Sequence, residues 1–346
     1  MKIGLIARSD NTGLGSQTYQ LAKMLNPDRI MLVDSFPFNK NQQYPERYDI
    51  FNNVYHSRGR FVGRETVASF IKRLDVVLTC ETFYYPKFID VANRMGVKTI
   101  LQYNYEFLDY LQNDSLTLPN MLLAPSLWNF DDVKSKFGDK TRLEFLPPPT
   151  NEDNFKNARA FNMSKDHRRI LHVAGKIADH DRNGTQTIIK MLQHSKEDYE
   201  IVIKTQSEVP TNYKDSRLKI EHANPKEQES LYEGFDAMIL PRRYAGLCLP
   251  MNEALMSGLP VFMTDVSPNN HFLPKDWLIK SNKISEFMTR TMIDIHEADE
   301  KILAKKIDNY IVKDKIEDKK KAYEIGYNNF SPNVLKDKYI DLINSI

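Results

Sequence analysis

Residues 241–261 read Pro241-Arg242-Arg243-Tyr244-Ala245-Gly246-Leu247-Cys248-Leu249-Pro250-Met251-Asn252-Glu253-Ala254-Leu255-Met256-Ser257-Gly258-Leu259-Pro260-Val261 and follow the apolar run Ala237-Met238-Ile239-Leu240. A short apolar run bounded by turn-forming residues reads as a buried parallel strand. A glycine-containing loop comes next, Pro250 marks a helix start, and Glu253 is expected in the first turn. Gly258 closes the helix and Pro260 opens a further apolar run, Val261-Phe262-Met263. Strand, loop and helix start is where an α/β protein holds phosphates and sugar hydroxyls, because free N–H groups and the helix dipole point there. Glu253 then either complements the helix N-terminus or accepts hydrogen bonds from a ribose or a sugar.

The same alternation extends in both directions. Residues 169–174, 200–204, 218–222, 237–240 and 260–265 read as strands, with helices over 185–193, 225–235 and 251–257. In the first half, strands are expected at 2–8, 29–34, 75–81, 97–103 and 121–124. Helices are expected there at 16–25, 65–73, 86–95 and 129–137. Strands separated by helices argue for parallel βαβ units in both halves. Between the halves, Pro147-Pro148-Pro149-Thr150-Asn151-Glu152-Asp153-Asn154 is stiff and then polar, which suits a domain boundary. Beyond about Lys283 the spacing of Ile284, Phe287, Met288, Met292 and Ile295 predicts helix, the charged run 313–321 a solvated helix face, and Pro332 the start of a last helix. The domains expected are therefore 1–150, 151–330 and a closing helix over 331–346.

A chain of 346 residues suits two domains, and 41% hydrophobic with 27% charged residues is ordinary for a globular protein. No apolar run approaches the roughly 18 residues of a membrane span. The first eight residues read as a strand rather than a secretory signal. Two cysteines, Cys80 and Cys248, form neither a metal spacing nor a disulfide framework, so a cytoplasmic setting is expected. A net charge of +2 sets up no global field that demands nucleic acid. His172, His180, His222 and His271 lack ligand spacing, and no metal site is expected. A Walker loop and a Gly-x-Ser-x-Gly elbow are absent, and Gly13 and Gly15 fall short of a dinucleotide fingerprint.

Several segments sit where strands hand over to helices. Gly13 and Gly15 follow the first strand and either approach a ligand or serve a tight turn. His172-Val173-Ala174-Gly175-Lys176 ends a strand, and Asp181-Arg182-Asn183-Gly184-Thr185 opens a helix. Lys176, Arg182, Arg242 and Arg243 bring cations to the carboxyl ends of strands, where an α/β protein holds anions. Lys204 ends another strand, and Asn224 leads into the helix expected at 225–235. Three arginines, Arg58, Arg60 and Arg64, lie in a glycine-containing stretch suited to phosphates. Asn104 and Glu106 follow a strand in the first half.

Residues 241–261 resemble the donor-binding segment of retaining glycosyltransferases of the GT-B fold, the family built around a Glu-x7-Glu motif. Gly246, Leu249, Pro250, Glu253, Ala254, Gly258 and Pro260 fall on its pattern, and Ala245 replaces its first glutamate. Gly175 and Gly184 match a second family segment, with Lys176 in place of an arginine and Asn183 in place of a lysine. The resemblance implies an α/β GT-B protein, two Rossmann-like domains facing each other across a cleft, with the last helix returning to the first. It implies sugar transfer from a nucleotide-diphosphate sugar with no metal. Lys176, Arg182 and Glu253 would be catalytic. Gly13, Gly15, Gly175, Asn183, Lys204, Asn224, Arg242, Arg243, Gly246 and Leu247, with Glu253, would bind the donor, the ribose falling to Glu253. The acceptor would meet Arg58, Arg60, Arg64, Asn104 and Glu106. The arginine stretch tips the acceptor slightly towards a hydroxymethylated base in double-stranded phage DNA, in the host cytoplasm. A glycan or small-molecule acceptor, a sugar-nucleotide epimerase or phosphorylase-like enzyme, and a catalytically silent GT-B binding protein are the alternatives.

Overall fold

A computed structural model describes the chain except residues 35–41, 58, 60, 112, 114, 178–180, 223–227 and 245 and the side chains of 228 and 229. The strands are β1 (Ile3–Arg8), β2 (Arg29–Val33), β3 (Val54–His56), β4 (Val76–Cys80), β5 (Lys98–Gln102), β6 (Met121–Ala124), β7 (Arg142–Phe145), β8 (Arg169–Gly175), β9 (Glu200–Thr205), β10 (Leu218–His222), β11 (Ala237–Leu240), β12 (Val261–Thr264), β13 (Leu278–Ile279), β14 (Ser281–Met288) and β15 (Met292–Ala298). The helices are α1 (Gly13–Leu25), α2 (Arg64–Ile71), α3 (Phe88–Arg94), α4 (Phe130–Phe137), α5 (Lys156–Ser164), α6 (Thr185–Met191), α7 (Leu249–Met256), α8 (Glu300–Ile311), α9 (Ile316–Phe330) and α10 (Pro332–Asn344).

The chain divides into two compact units. Unit 1 is Met1–Pro149 with Pro332–Ile346, and unit 2 is Thr150–Ser331. Among the described residues, unit 1 holds a parallel sheet in the order β3-β2-β1-β4-β5-β6-β7. Its central strands β1, β4 and β5 are buried along most of their length because helices cover both faces. Leu5, Ile30, Leu78, Ile100 and Leu123 form one core with Leu335, Tyr339 and Ile343 of α10. The Tyr339 hydroxyl donates to the Pro147 carbonyl (3.1 Å) and accepts from Gln102 Nε2 (2.9 Å), and Gln102 Oε1 accepts from Gln17 (2.7 Å). These are buried polar groups, so each needs its partner.

Unit 2 repeats the plan with the parallel order β10-β9-β8-β11-β12-β13. Both sheets start at a central strand, grow outward, then reverse. In unit 1 the order reverses between β1 and β4, and in unit 2 between β8 and β11. Loops leave such a switch point in opposite directions and open a crevice at the carboxyl ends of the strands.

Three sequence expectations need correction. Residues 283–295 are not helical: β14 and β15 form an antiparallel hairpin turning at 289–291. Ile293, Ile295 and Ala298 are buried while Ile284, Met288 and Met292 are exposed. The helical spacing was coincidental, and the β-branched alternation in 293–295 decides the matter. The helix expected at 225–235 reduces to a 3-10 turn over Gln228–Leu231 among the described residues. The charged run 313–321 is not wholly solvated. Lys319 is 3% exposed and pairs with buried Asp236 at 2.7 Å, and Lys315, also buried, pairs with Asp166. Burying such ammonium groups requires partners of this kind. Strands β3, β7 and β13 lie at or near sheet edges, where a full apolar run is not needed, which is why periodicity missed them.

Candidate active site

The unit 2 switch point is built by the loops after β8 and β11. Gly184, at φ +73°, turns the first loop into α6, and a Cβ there would lie 2.3 Å from the Pro241 carbonyl oxygen. Only glycine lets the two loops touch. The Arg243 amide donates to the Arg182 carbonyl (2.8 Å), and the Arg243 carbonyl accepts from the His296 amide of β15 (2.9 Å). The hairpin thus braces the loop after β11, helped by an edge contact of Tyr244 with Phe287 (4.9 Å).

The cations differ in burial and in what they touch. Arg242 is buried and its guanidinium donates to the Leu247 carbonyl (3.0 Å), which closes the loop carrying Gly246 and Leu247. Arg182 is half-buried, with its guanidinium 5.0 Å from the Tyr244 ring centre. Arg243 is half-buried beside it, and Lys176 is exposed just past the end of β8. Lys204 lies apart: its Nζ donates to the Ser230 carbonyl (3.3 Å) and faces the Phe235 ring, and burial lowers its pKa. The Asn183 amide donates to the Ala174 carbonyl (2.9 Å), tying the loop to β8, and Gly175 takes the left-handed φ of +63° as β8 ends.

Asp181 accepts from the Thr185 and Gln186 amides at 3.0 and 2.8 Å, so the first amides of α6 are already satisfied by the chain's own carboxylate. An anion at this point meets side-chain cations instead of that helix end. His172 lies beneath, fully buried, with Nδ1 2.9 Å from the Ile239 carbonyl and Nε2 3.0 Å from Thr185 Oγ1. Burial lowers its pKa to about 4, so the ring is neutral, donating from Nδ1 and accepting at Nε2.

Glu253 is the fifth residue of α7, in its second turn and not the first as the sequence suggested. It is buried, and its carboxylate accepts a short hydrogen bond from the hydroxyl of Tyr232, whose exposure is 0%. Burial, then the neighbouring carboxylate, pushes the Tyr232 pKa well up, so the phenol stays the donor. Sequence reasoning missed Tyr232 and His172, because both act through tertiary contacts that no local spacing records.

In unit 1, Thr12 caps α1, accepting from the Gly15 amide (3.3 Å). A Cβ on Gly15 would lie 2.0 Å from the Asp10 carbonyl oxygen, so close packing accounts for this glycine; Gly13 is the exposed first residue of the helix. Arg8, ending β1, pairs with Asp10. Asn104 Nδ2 donates to Glu81 Oε1 (2.7 Å), joining the ends of β5 and β4, and Glu106 is buried in the following turn. Arg64 is the exposed first residue of α2. Arg58, Arg60, Asn224, His180 and Ala245 lie outside the described residues. Among the described residues no cluster of histidine, cysteine and carboxylate side chains could hold a metal ion, and no helix is long and apolar enough to cross a membrane.

No protein-family model and no curated protein matches the chain. Solved structures do. Anabaena HepE in complex with UDP superposes with a TM-score of 0.69 at 10% identity over 100% of both chains. Sucrose-phosphate synthase from Thermosynechococcus elongatus gives 0.66 at 11% identity over 100% of this chain and 98% of that one. A glycosyltransferase from Rickettsia africae gives 0.67 at 13% identity over 99% and 97%. With two parallel-sheet α/β units of this topology, the chain has the GT-B fold.

Proposed function

We propose that the chain is a glycosyltransferase that takes a sugar from a nucleotide-diphosphate sugar and passes it to an acceptor hydroxyl with retention of anomeric configuration. The observation that supports this is that the loops after β8 and β11, adjacent strands at the unit 2 switch point, carry Lys176, Arg182 and Arg243, and that the second loop leads into α7, whose Glu253 is held by Tyr232. Breaking the glycosidic bond leaves its electron pair on the diphosphate. Fixed cations stabilise that charge most where it develops. The acceptor oxygen then bonds to the anomeric carbon, and its proton goes to the departing diphosphate. Glu253 is assigned to the ribose hydroxyls. Gly246 and Leu247, held by Arg242, and Gly175 with Asn183 shape the backbone around the donor. Retention follows from the resemblance of residues 241–261 to the Glu-x7-Glu segment.

HepE has been solved with UDP-glucose, which makes that donor the first to try. Incubation with UDP-glucose and other nucleotide sugars, following nucleoside diphosphate release and the anomeric signals of the product by NMR, tests the reading. Release that falls in Lys176→Ala supports it. A donor that binds yet is never cleaved, with any acceptor or with water, would instead identify a binding protein. A hydroxymethylated base in duplex DNA as acceptor rests on the arginine stretch, of which Arg64 is the described member. It predicts duplex binding that weakens steeply with salt.

A further inference from the structure

Unit 2 carries a second cavity, of about 370 Å³, within the size range of small-molecule sites. It lies between α8, α9 and the 3-10 turn Lys275–Trp277, which leads into the amino end of β13. Lys176, Arg182 and Arg243 instead follow the carboxyl ends of β8 and β11, at the other end of this parallel sheet. The cavity's floor is Phe262, Trp277 and Tyr310, all buried in the unit 2 core. Phe262 meets Tyr310 edge-on at 5.1 Å, and the Tyr310 hydroxyl donates to the Asp236 carbonyl (2.8 Å), so the floor is held in place.

Its walls are cationic. Lys305, Lys306 and Lys313 line it from α8 and the residues just beyond, and Lys321 lines it from α9. Asp276 and Asp318 are the carboxylates among the lining residues, so positive charge is in excess. Asp318 is paired with Lys313 (2.5 Å). The half-buried Lys306 ammonium donates to the Asp276 carbonyl (2.7 Å). Burial lowers its pKa, a cost to the charged form that an anion would offset. Lys321 Nζ lies 6.0 Å from the Trp277 ring centre. Among the described residues Lys305, Lys306 and Lys321 form no ion pair, so their charges are open to a ligand.

Two of the elements around the cavity also carry the stems of the β14–β15 hairpin. The turn Lys275–Trp277 passes through β13 into β14, and β15 runs through Asp299 into α8. Asp299 caps α8, accepting from the Lys301 and Ile302 amides (2.9 and 3.0 Å). Its own amide donates to the Lys280 carbonyl (3.3 Å), which ties the two stems together. The same hairpin braces the loop of Arg243 through the His296 amide. We propose that this cavity is a second ligand site, which takes a small molecule bearing a phosphate group, and that an anion held there steadies the hairpin behind Arg243. A phosphate offers several acceptor oxygens to ammonium groups brought by α8 and α9. The aromatic floor covers whatever apolar part the ester carries. A ligand that joins the turn before β13 to α8 pins both stems, so openings of the hairpin that need them to part become rarer.

Titration calorimetry on the full chain tests the site, with inorganic phosphate, glycerol 3-phosphate and AMP as probes and glycerol and adenosine as uncharged references. In about 0.15 M salt, loose surface attraction is screened. At least one phosphate should bind saturably, and the tightest identifies the organic part. Its Kd should rise about tenfold or more in the double variant Lys305→Ala/Lys321→Ala, whose exposed side chains leave folding intact. Lys320→Ala, a neighbour on α9 paired with Glu317, should leave Kd within about twofold, as should Lys176→Ala at the other end of the sheet. With that phosphate bound, hydrogen exchange should slow about fivefold or more across residues 281–298 and stay unchanged in unit 1. Failure of every phosphate to saturate, or references that bind as well, overturns the site. So does a Kd that ignores the double variant or moves as far in Lys320→Ala or Lys176→Ala. Retention on phosphatidylglycerol vesicles through the exposed Ile302 and Val312, with no response to soluble phosphates, overturns it in favour of a membrane contact. Saturable binding without slower exchange in 281–298 overturns the coupling to the hairpin. No sugar donor is present in these measurements, so their outcome stands apart from that of the transferase reading.

Discussion

The two units reverse their sheets in the same manner, yet the crevices that result differ in character. Unit 2 presents Lys176, Arg182 and Arg243 after β8 and β11. Unit 1 presents Glu81, Asp109 and a group of aromatic rings after β4 and β5. Topology therefore places the two crevices alike, and the side chains at the strand ends give them different chemistry. One crevice is lined by cations, the other by aromatic rings and carboxylates.

The comparison breaks most readily at Lys176. If charge on the diphosphate is stabilised in unit 2, Lys176→Ala should lower kcat by about 100-fold while donor affinity changes far less. Lys176 is exposed, so thermal stability should hold. An equal fall in affinity and kcat, or none, would remove the cation from the leaving-group role.

Acid should separate the units next. Every histidine except His56 lies in unit 2, and among the described residues His172 is its fully buried one. Its ring stays neutral in the folded chain to about pH 4, whereas an unfolded histidine takes its proton near 6.5. Unfolding therefore takes up a proton between those values. The contribution, about 3 kcal/mol, is complete above pH 6.5 and is lost as pH falls towards 4. Hydrogen exchange across this range should show unit 2 loosening first. His172→Gln should flatten that dependence; if unit 1 opens first, or the slope persists, His172 is not its source.

Tyr232→Phe should sharpen the picture at smaller scale. Losing a hydrogen bond to a buried carboxylate costs about 1.5–3 kcal/mol, read as weaker nucleotide-sugar binding and a lower Tm. In a Glu253→Ala background the same change should have little further effect on binding, because the group that Tyr232 positions is gone. Additive losses would mean that Tyr232 acts elsewhere. The smallest effect expected is at Arg64. Its position at the start of α2 gives a cation no stabilising partner in the helix dipole, so Arg64→Ala should leave stability unchanged within about 0.5 kcal/mol, read as an unshifted Tm.

Much of the fold was legible because parallel strands buried on both faces write themselves as short apolar runs, as in Ala237-Met238-Ile239-Leu240 and Val76-Val77-Leu78. The edges were not, since Arg142-Leu143-Glu144-Phe145 has no such run. The hairpin β14–β15 was hidden by chance helical spacing, and with it the brace behind Arg243. At the site, residue types were readable and their division of labour was not. Arginines 242 and 243 are neighbours in sequence, yet one is buried holding the Leu247 carbonyl and the other is half-buried at the switch point. Lys204 reads as a strand-end cation but turns to Ser230. The segment Glu81-Thr82-Phe83-Tyr84-Tyr85 puts polar residues and aromatics straight after a strand, a pattern that hydrophobic periodicity does not weigh.

The grouping of α10 with unit 1 has a consequence for synthesis. Unit 2 is one uninterrupted stretch, Thr150–Ser331, whereas unit 1 needs Pro332–Ile346 to finish its core. Until Tyr339 emerges from the ribosome, Gln102 and the Pro147 carbonyl lack their partner and Leu5, Leu78 and Leu123 lack the apolar cover of Leu335 and Ile343. Domains made first usually fold first. Here the half begun first is completed last, and it waits with a partly open sheet while its successor folds.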